Sequence, residues 1–474
     1  MTRSGDVFVD GEWSAGAGAP RVVRDAATDE ALDTVRLGER ADVDRAVDAA
    51  RAALPAWSAT SPQERAERLA AMARHLKENA RKTSELVSRE NGMPISLSAT
   101  ANGYAPMAIF RYYAGLISDV LWEEFRPAMF GGRSAVERKP VGVVAAVVPW
   151  NYPQSLAAMK VAPALAAGCT VVLKTAPETP LDARVFAEAA LAAGLAPGAL
   201  NIVPADREVS AYLVAHPGVD KVAFTGSTAA GRAIARACGE LLRPVTLELG
   251  GKSAAILTDE VDLDVFTAKL LDVCLPNSGQ TCHASTRILA PRARYAEVVA
   301  RVSDVVASYV IGSPLDRKTQ IGPLASPAQR DRVLAHIAAG RRTAARLVVG
   351  GEALPGPGNF VRPAVFADVA PDTAIAREEV FGPVLCVLPY DGLDDAVALA
   401  NDSDFGLAAT VWGGDEDDAL ALARRLETGT VGVNDYVIDF ASPFGGVKAS
   451  GLGRELGPEG LDAYLLKQAV YGLA

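Results

Sequence analysis

Histidine is scarce in this 474-residue chain, with only His75, His216, His283 and His336. No two are spaced H-x-x-x-H, so the ligand pattern of a helical zinc site is missing and no metal is expected. The five cysteines are Cys169, Cys238, Cys274, Cys282 and Cys386. They are odd in number, scattered and never spaced C-x-x-C, which excludes a disulfide framework and a zinc knuckle. Dense Lys/Arg runs are also lacking, and the net charge is -10. Nucleic acid and anionic membrane surfaces are therefore poor partners. There is no uninterrupted apolar run of membrane-spanning length, and the opening "MTRSGDVFVDGEWSAG" has no apolar signal core. A cytoplasmic location is the expectation.

Half the residues are hydrophobic and 22% are charged, the composition of a folded globular chain. The length exceeds one ordinary core and predicts two or three domains. The stretches 42–54 and 61–90 carry apolar residues at helical spacing, the second with Ser61 as N-cap, Pro62 at N1 and Glu64 completing a capping box. Gly131-Gly132 between strand-compatible runs predicts a hairpin over 119–140. From 141 the pattern alternates. Strands are predicted at 141–148, 169–174, 200–203, 221–224, 244–249 and 253–258, with helices at 181–194 and 227–239. This is the rhythm of a doubly wound α/β unit, whose ligands sit beyond the carboxyl ends of its strands. A second α/β unit is predicted over roughly 260–450, from helices at 263–274, 294–309 and 327–339 and strands at 286–290 and 346–349.

Four clusters fall at the ends of these elements. "PWNYP" (149–153) holds Asn151 between two prolines, either as a turn residue or as an amide donor. "FTGSTAAG" (224–231) is a strand–turn–helix junction where a phosphate could meet a helix N-terminus, although it is neither G-x-G-x-x-G nor a Walker loop. "LELGGKS" (247–253) places Glu248 in an apolar strand, as a solvent-facing edge residue or as a buried base with raised pKa. "NSGQTCHAST" (277–286) carries Cys282 beside His283. Neighbours on an extended segment point to opposite faces, so His283 is a poor base for Cys282, and a Cys/His hydrolase is disfavoured.

Together with "EEVFGPV" (378–384) and "PFGGVKASGLGRELG" (443–457), these clusters occur in the order and approximate spacing of one family. From about residue 6 onward the chain resembles the NAD(P)-dependent aldehyde dehydrogenases. The resemblance implies Cys282 as nucleophile, Asn151 as oxyanion donor together with the Cys282 backbone N–H, and Glu248 as the base that activates water against a thioester. It implies Trp150, Lys174, Gly226, Ser227, Glu379 and Phe381 around NAD or NADP. Tyr152 and Phe444 would lie near a substrate tunnel, and Glu455 near a proton exit path. The implied architecture is an α/β fold: a Rossmann-like cofactor domain (1–118 and 140–249), a catalytic domain (250–450) and a small β flap (119–139 and 451–474). The flap would join homodimers or homotetramers.

Two departures bear on the cofactor. "KTAPETP" (174–180) puts Pro177 where many NAD-preferring relatives have a ribose-binding Glu, and Glu178 comes one residue late. Use of both NAD and NADP, with a modest NAD preference, is the expectation. In "VPADREV" (203–209), Arg207 is read as solvated rather than phosphate-bound. Glu248 favours acid formation over a CoA-acylating reaction. Intact Cys282, Glu248 and Asn151 argue against a non-catalytic relative. Segment 436–443, "YVIDFASP", lacks Lys and Arg, which favours uncharged aliphatic, aromatic or terpenoid aldehydes, with a cationic amino-aldehyde left open through Asp439.

Overall fold

The computed structural model describes residues 5–473. Val143–Val147 and Thr170–Lys174 are buried at every position, as continuous apolar runs demand when a strand is covered on both faces. They pair in parallel at the centre of an eight-stranded sheet. Lys221–Thr225 and Val245–Glu248 extend the sheet on one side, and Leu200–Ile202 on the other. The strands Val7–Val9 and Glu12–Ser14 continue the Leu200–Ile202 edge in antiparallel fashion. Period-two alternation sorts the side chains: Ala223 and Val144 face one core, Val222 and Val143 the other.

The helix Pro62–Asn91 begins as its sequence requires, with Ser61 accepting the Glu64 N–H at 3.1 Å, one half of the expected capping box. Gly92 ends it in the left-handed conformation. The helix Pro153–Ala167 was not anticipated. Fourteen of its fifteen residues are buried, so it has no polar face and no helical period to read.

A second, seven-stranded sheet runs Arg346–Val349, Ala364–Ala367, Val384–Tyr390, Arg287–Pro291, Ala254–Leu257, Ala408–Trp412 and Thr430–Val433. All neighbours are parallel except the first pair. The predicted hairpin forms as Glu123–Pro127 and Arg133–Pro140, and Leu465–Leu473 adds a third antiparallel strand. The flap does not begin at 451 as the sequence suggested. Gly451–Leu452 pairs with Val245–Glu248 in the first sheet, and Leu456, Leu461 and Tyr464 are buried in the core beneath it. Among the described residues no helix is long and apolar enough to cross a membrane.

Candidate active site

Glu248 is the last residue of Val245–Glu248 and pairs in register with Thr225. It is 2% exposed, and neither carboxylate oxygen has a hydrogen-bond partner among the described residues. Burial, and next the Glu455 carboxylate, push its pKa well above the usual range, while Lys160 and Arg454 pull the other way. The buried reading of Glu248 is the one the structure adopts. Gly445 leaves it room, since a Cβ there would lie 2.6 Å from Glu248 Oε1.

Asn151 lies in the short segment between Val143–Val147 and the buried helix Pro153–Ala167. Its Nδ2 donates to Gln280 O at 3.0 Å, which ties it to the cysteine loop. Its own carbonyl accepts from Asn91 Nδ2 and Asn277 Nδ2, each at 3.1 Å. Asn91 also donates to Trp150 O at 3.0 Å. Asn91 thus anchors "PWNYP", a role that its place at a helix end did not disclose.

Cys282 and His283 themselves lie in a turn rather than on the extended segment expected. Asn277 and Ser278 both take left-handed backbone conformations, φ 52° and 56°, before Gly279 at φ 75°. Gly279 packs so tightly that a Cβ would lie 2.1 Å from Gly382 O. Gly251 likewise lies under Cys282, with 2.4 Å between a Cβ there and Cys282 O. These close approaches clamp the loop against "LELGGKS" and "EEVFGPV".

Cys282 is partly exposed at a cleft of about 170 Å³ whose wall also includes Trp150, Asn151, Gly226, Ser227, Glu379 and Phe381. Burial, then the carboxylates of Glu379 and Glu248, push its thiol up to about 12. The thiol is thus protonated at neutral pH. Its alkylation by iodoacetamide in the cofactor-free enzyme is therefore expected to climb about tenfold per pH unit from pH 7 to 10, because only the thiolate reacts. A plateau below pH 8 would contradict this environment.

Glu379 Oε1 accepts the Gly251 N–H at 3.0 Å, and burial raises its carboxyl to about 7. Phe381, at φ 57°, meets Trp150 edge to face with ring centroids 5.5 Å apart. Ser227 caps the helix Thr228–Glu240 through Ala230 N–H, and the Gly226 N–H donates to Glu248 O at 3.0 Å. Lys174 is buried at the end of its strand but is not part of the cleft wall at Cys282. Burial lowers its pKa to about 8, against the fields of Glu178 and Asp206. Arg207 is exposed.

Tyr152 and Phe444 are not part of that cleft wall. Tyr152 Oη bonds Thr281 Oγ1 at 2.8 Å. The Phe444 backbone exchanges two hydrogen bonds with the buried Glu455, at 2.7 and 2.8 Å. His283 stacks on Tyr436 at 4.9 Å and approaches Phe444 edge-on at 6.4 Å. Burial lowers its pKa to about 4, which makes it a weak base at neutral pH. Glu455 accepts from Lys160 Nζ at 2.7 Å, and Lys160 also reaches Thr225 Oγ1 at 2.5 Å. Lys160 escaped the sequence reading. Its only signal is a lone charge in the apolar run "SLAAMKVAPALAA".

The aldehyde dehydrogenase family profile matches residues 13–470. The geranial dehydrogenase of Castellaniella defragrans is 49% identical over 98% of both chains. A Mycobacterium tuberculosis aldehyde dehydrogenase solved with NAD+ superposes with a TM-score of 0.95, at 45% identity over 98% of both chains. A cysteine-to-alanine variant of aldehyde dehydrogenase C from Pseudomonas syringae, solved with NAD+ and octanal, superposes at 0.96, with 39% identity over 99% of this chain and 97% of that one. The chain belongs to the aldehyde dehydrogenase family.

Proposed function

We propose that this enzyme oxidises an uncharged aldehyde to its carboxylic acid with NAD(P)+. The observation that carries the reading is the thiol of Cys282 at the cleft, on a loop tied to Asn151, together with a buried carboxyl at Glu248 that has no hydrogen-bond partner among the described residues. The Cys282 sulfur adds to the aldehyde carbon to give a thiohemiacetal. Asn151 Nδ2 has a second N–H beyond the one held by Gln280 O, and with the Cys282 backbone N–H it stabilises the oxyanion. The chemistry that NAD(P)+ supplies when bound is acceptance of a hydride from the substrate carbon, which leaves a thioester on Cys282. Glu248 then takes a proton from the water that hydrolyses the thioester, and a carboxyl raised toward neutrality suits that task. Glu455 lies on the route by which that proton leaves.

The cleft suits a nicotinamide dinucleotide. Trp150 and Phe381 offer ring surfaces, Glu379 a buried carboxyl, and Gly226-Ser227 the N-terminus of a helix. Lys174 and Glu178 serve the adenosine end. Pro177 replaces the usual acid while Glu178 follows one residue later, so use of both NAD and NADP is expected, with a modest preference for NAD. The three-stranded flap, with Met129 and Phe130 at 90% and 97% exposure on its turn, is read as the surface joining copies into a dimer or tetramer.

The substrate side favours uncharged, apolar aldehydes. The hydroxyls of Tyr152 and Tyr436 are engaged by Thr281 and Thr430, which argues against a polar recognition role for them toward the substrate. Asp439 spends its carboxylate on Ala441 N–H and Ser442 Oγ in its own loop, which weakens the cationic amino-aldehyde alternative. The geranial and octanal relatives support the same class. A panel of geranial, octanal, benzaldehyde and succinic semialdehyde, each with NAD and NADP, tests this. The uncharged aldehydes are expected to exceed succinic semialdehyde by about 10–200-fold in kcat/KM. Preference for the semialdehyde, or inactivity with both cofactors, contradicts the reading.

A further inference from the structure

Two consecutive residues of "PWNYP" meet two consecutive residues of the cysteine loop. Asn151 Nδ2 donates to Gln280 O at 3.0 Å. One residue further along each segment, the Tyr152 hydroxyl meets Thr281 Oγ1 at 2.8 Å.

The direction of the second bond follows from the hydrogens available. A threonine hydroxyl has one proton to give and two lone pairs to accept with. Thr281 Oγ1 donates to Pro276 O at 2.9 Å, a carbonyl that can only accept. Its proton is spent there, so Tyr152 is the donor. Burial pushes the Tyr152 phenol above its ordinary range, which keeps that proton in place at neutral pH. The result is a directed chain from Tyr152 Oη to Thr281 Oγ1 to Pro276 O. Pro276 opens the run of turns that passes through Asn277, Ser278 and Gly279. The threonine hydroxyl therefore closes the cysteine loop on itself, and Tyr152 fastens the closed loop to "PWNYP".

Both ends of the bond belong to fixed segments. The Thr281 carbonyl accepts the Ala284 N–H at 3.2 Å, which makes Thr281 the first residue of the turn with Cys282 and His283 at its centre. Thr281 is buried. Tyr152 is followed by Pro153, the first residue of the buried helix, and its carbonyl accepts the Leu156 N–H at 3.0 Å. The two oxyanion donors, Asn151 Nδ2 and the Cys282 N–H, come from these two segments. Each is borne by the chain neighbour of one partner in the Tyr152–Thr281 bond. Their spacing depends on what ties the segments together, and oxyanion stabilisation depends on that spacing being set before the reaction.

We propose that Tyr152 and Thr281 are positioning residues for acyl-enzyme formation, their hydroxyl–hydroxyl bond holding the cysteine turn against Asn151 at the spacing the two oxyanion donors require. The inference rests on reading Asn151 and the Cys282 N–H as those donors. Both hydroxyls keep their protons throughout, and neither recognises the substrate.

The test is rapid-quench measurement of acyl-enzyme formation from octanal and from benzaldehyde, alongside thermal unfolding. The variants are Tyr152→Phe, Thr281→Val, Thr281→Ser and the Tyr152→Phe, Thr281→Val double replacement. Tyr152→Phe and Thr281→Val are each expected to slow acyl-enzyme formation about tenfold, equally for both aldehydes and with KM unchanged. Thr281→Ser, which keeps the hydroxyl, is expected to restore the rate. The double variant is expected to be about as slow as either single one, because both replacements break the same bond. A native rate in either single variant, whatever its thermal midpoint, would make the bond a packing feature only and overturn the proposal. A serine variant as slow as the valine one would also overturn it. So would losses that multiply to about a hundredfold in the double variant, since the two hydroxyls would then act separately. A KM that rises by different factors for the two aldehydes would place Tyr152 against the substrate instead. Asn151→Ala separates the two failures. If it forms acyl-enzyme normally, the oxyanion reading fails as well; if it is slow while Tyr152→Phe or Thr281→Val is normal, only this inference fails.

Discussion

Replacing Glu248 with glutamine is expected to leave a rapid burst of one reduced cofactor per active site, followed by turnover slower by about 10²–10⁴-fold. Glutamine keeps the shape of a side chain that fits against Gly445, so the strand end and the cysteine loop are preserved. It removes only the ability to take a proton. Acyl-enzyme formation does not need that proton acceptor, whereas hydrolysis does, so the reaction stops with Cys282 acylated. The burst is the informative part: a variant that simply misfolded would lose it. Stopped-flow absorbance of the reduced cofactor separates burst from steady rate, and loss of both phases in a folded variant would place Glu248 in the first half-reaction instead.

Asn151→Ala is expected to do the reverse, removing the burst and lowering acyl-enzyme formation by about 10²–10³-fold, the cost of deleting one preorganised oxyanion donor. The amide orientation is fixed by its surroundings: turning it over would set Asn151 Oδ1 against Gln280 O, two acceptors at the distance where Nδ2 now donates. The same bond makes Asn151 a tether for the cysteine loop, so a control is needed. Iodoacetamide should alkylate Cys282 in the alanine variant with the same pH dependence as in the native enzyme, showing that the thiol keeps its environment. A variant that acylates at the native rate would remove Asn151 from the chemistry.

The parts of this molecule that were legible in the sequence are those where a residue's type and spacing leave one physical solution. "VGVVAAVV" had to be a strand covered on both sides, and Val143–Val147 is. Gly131-Gly132 had to turn a hairpin, and it does. The approximate order of the site motifs was also visible, because each falls at a strand end or helix start. What stayed hidden depends on tertiary packing. Pro153–Ala167 is buried all round and shows no period, so its one charged residue, Lys160, had no face to stand out from. That Asn277 and Ser278 both take left-handed backbone conformations before Gly279, which packs against Gly382, is something local propensity does not foresee. His283 was set aside for a geometric reason that does not hold, since the segment is not extended; a ring stacked on Tyr436 with pKa near 4 supplies a better one. That Glu248 stands opposite Thr225 needs the register between two strands, which a single sequence does not carry.

The central claim is that Cys282 carries the substrate as a thioester that Glu248 releases. Its most direct test is mass spectrometry of Glu248→Gln, acid-quenched after mixing with octanal and NAD+. The account predicts a single added octanoyl group on the peptide containing Cys282, absent when NAD+ is omitted. An unmodified Cys282, or an acyl group on any other residue, would contradict it.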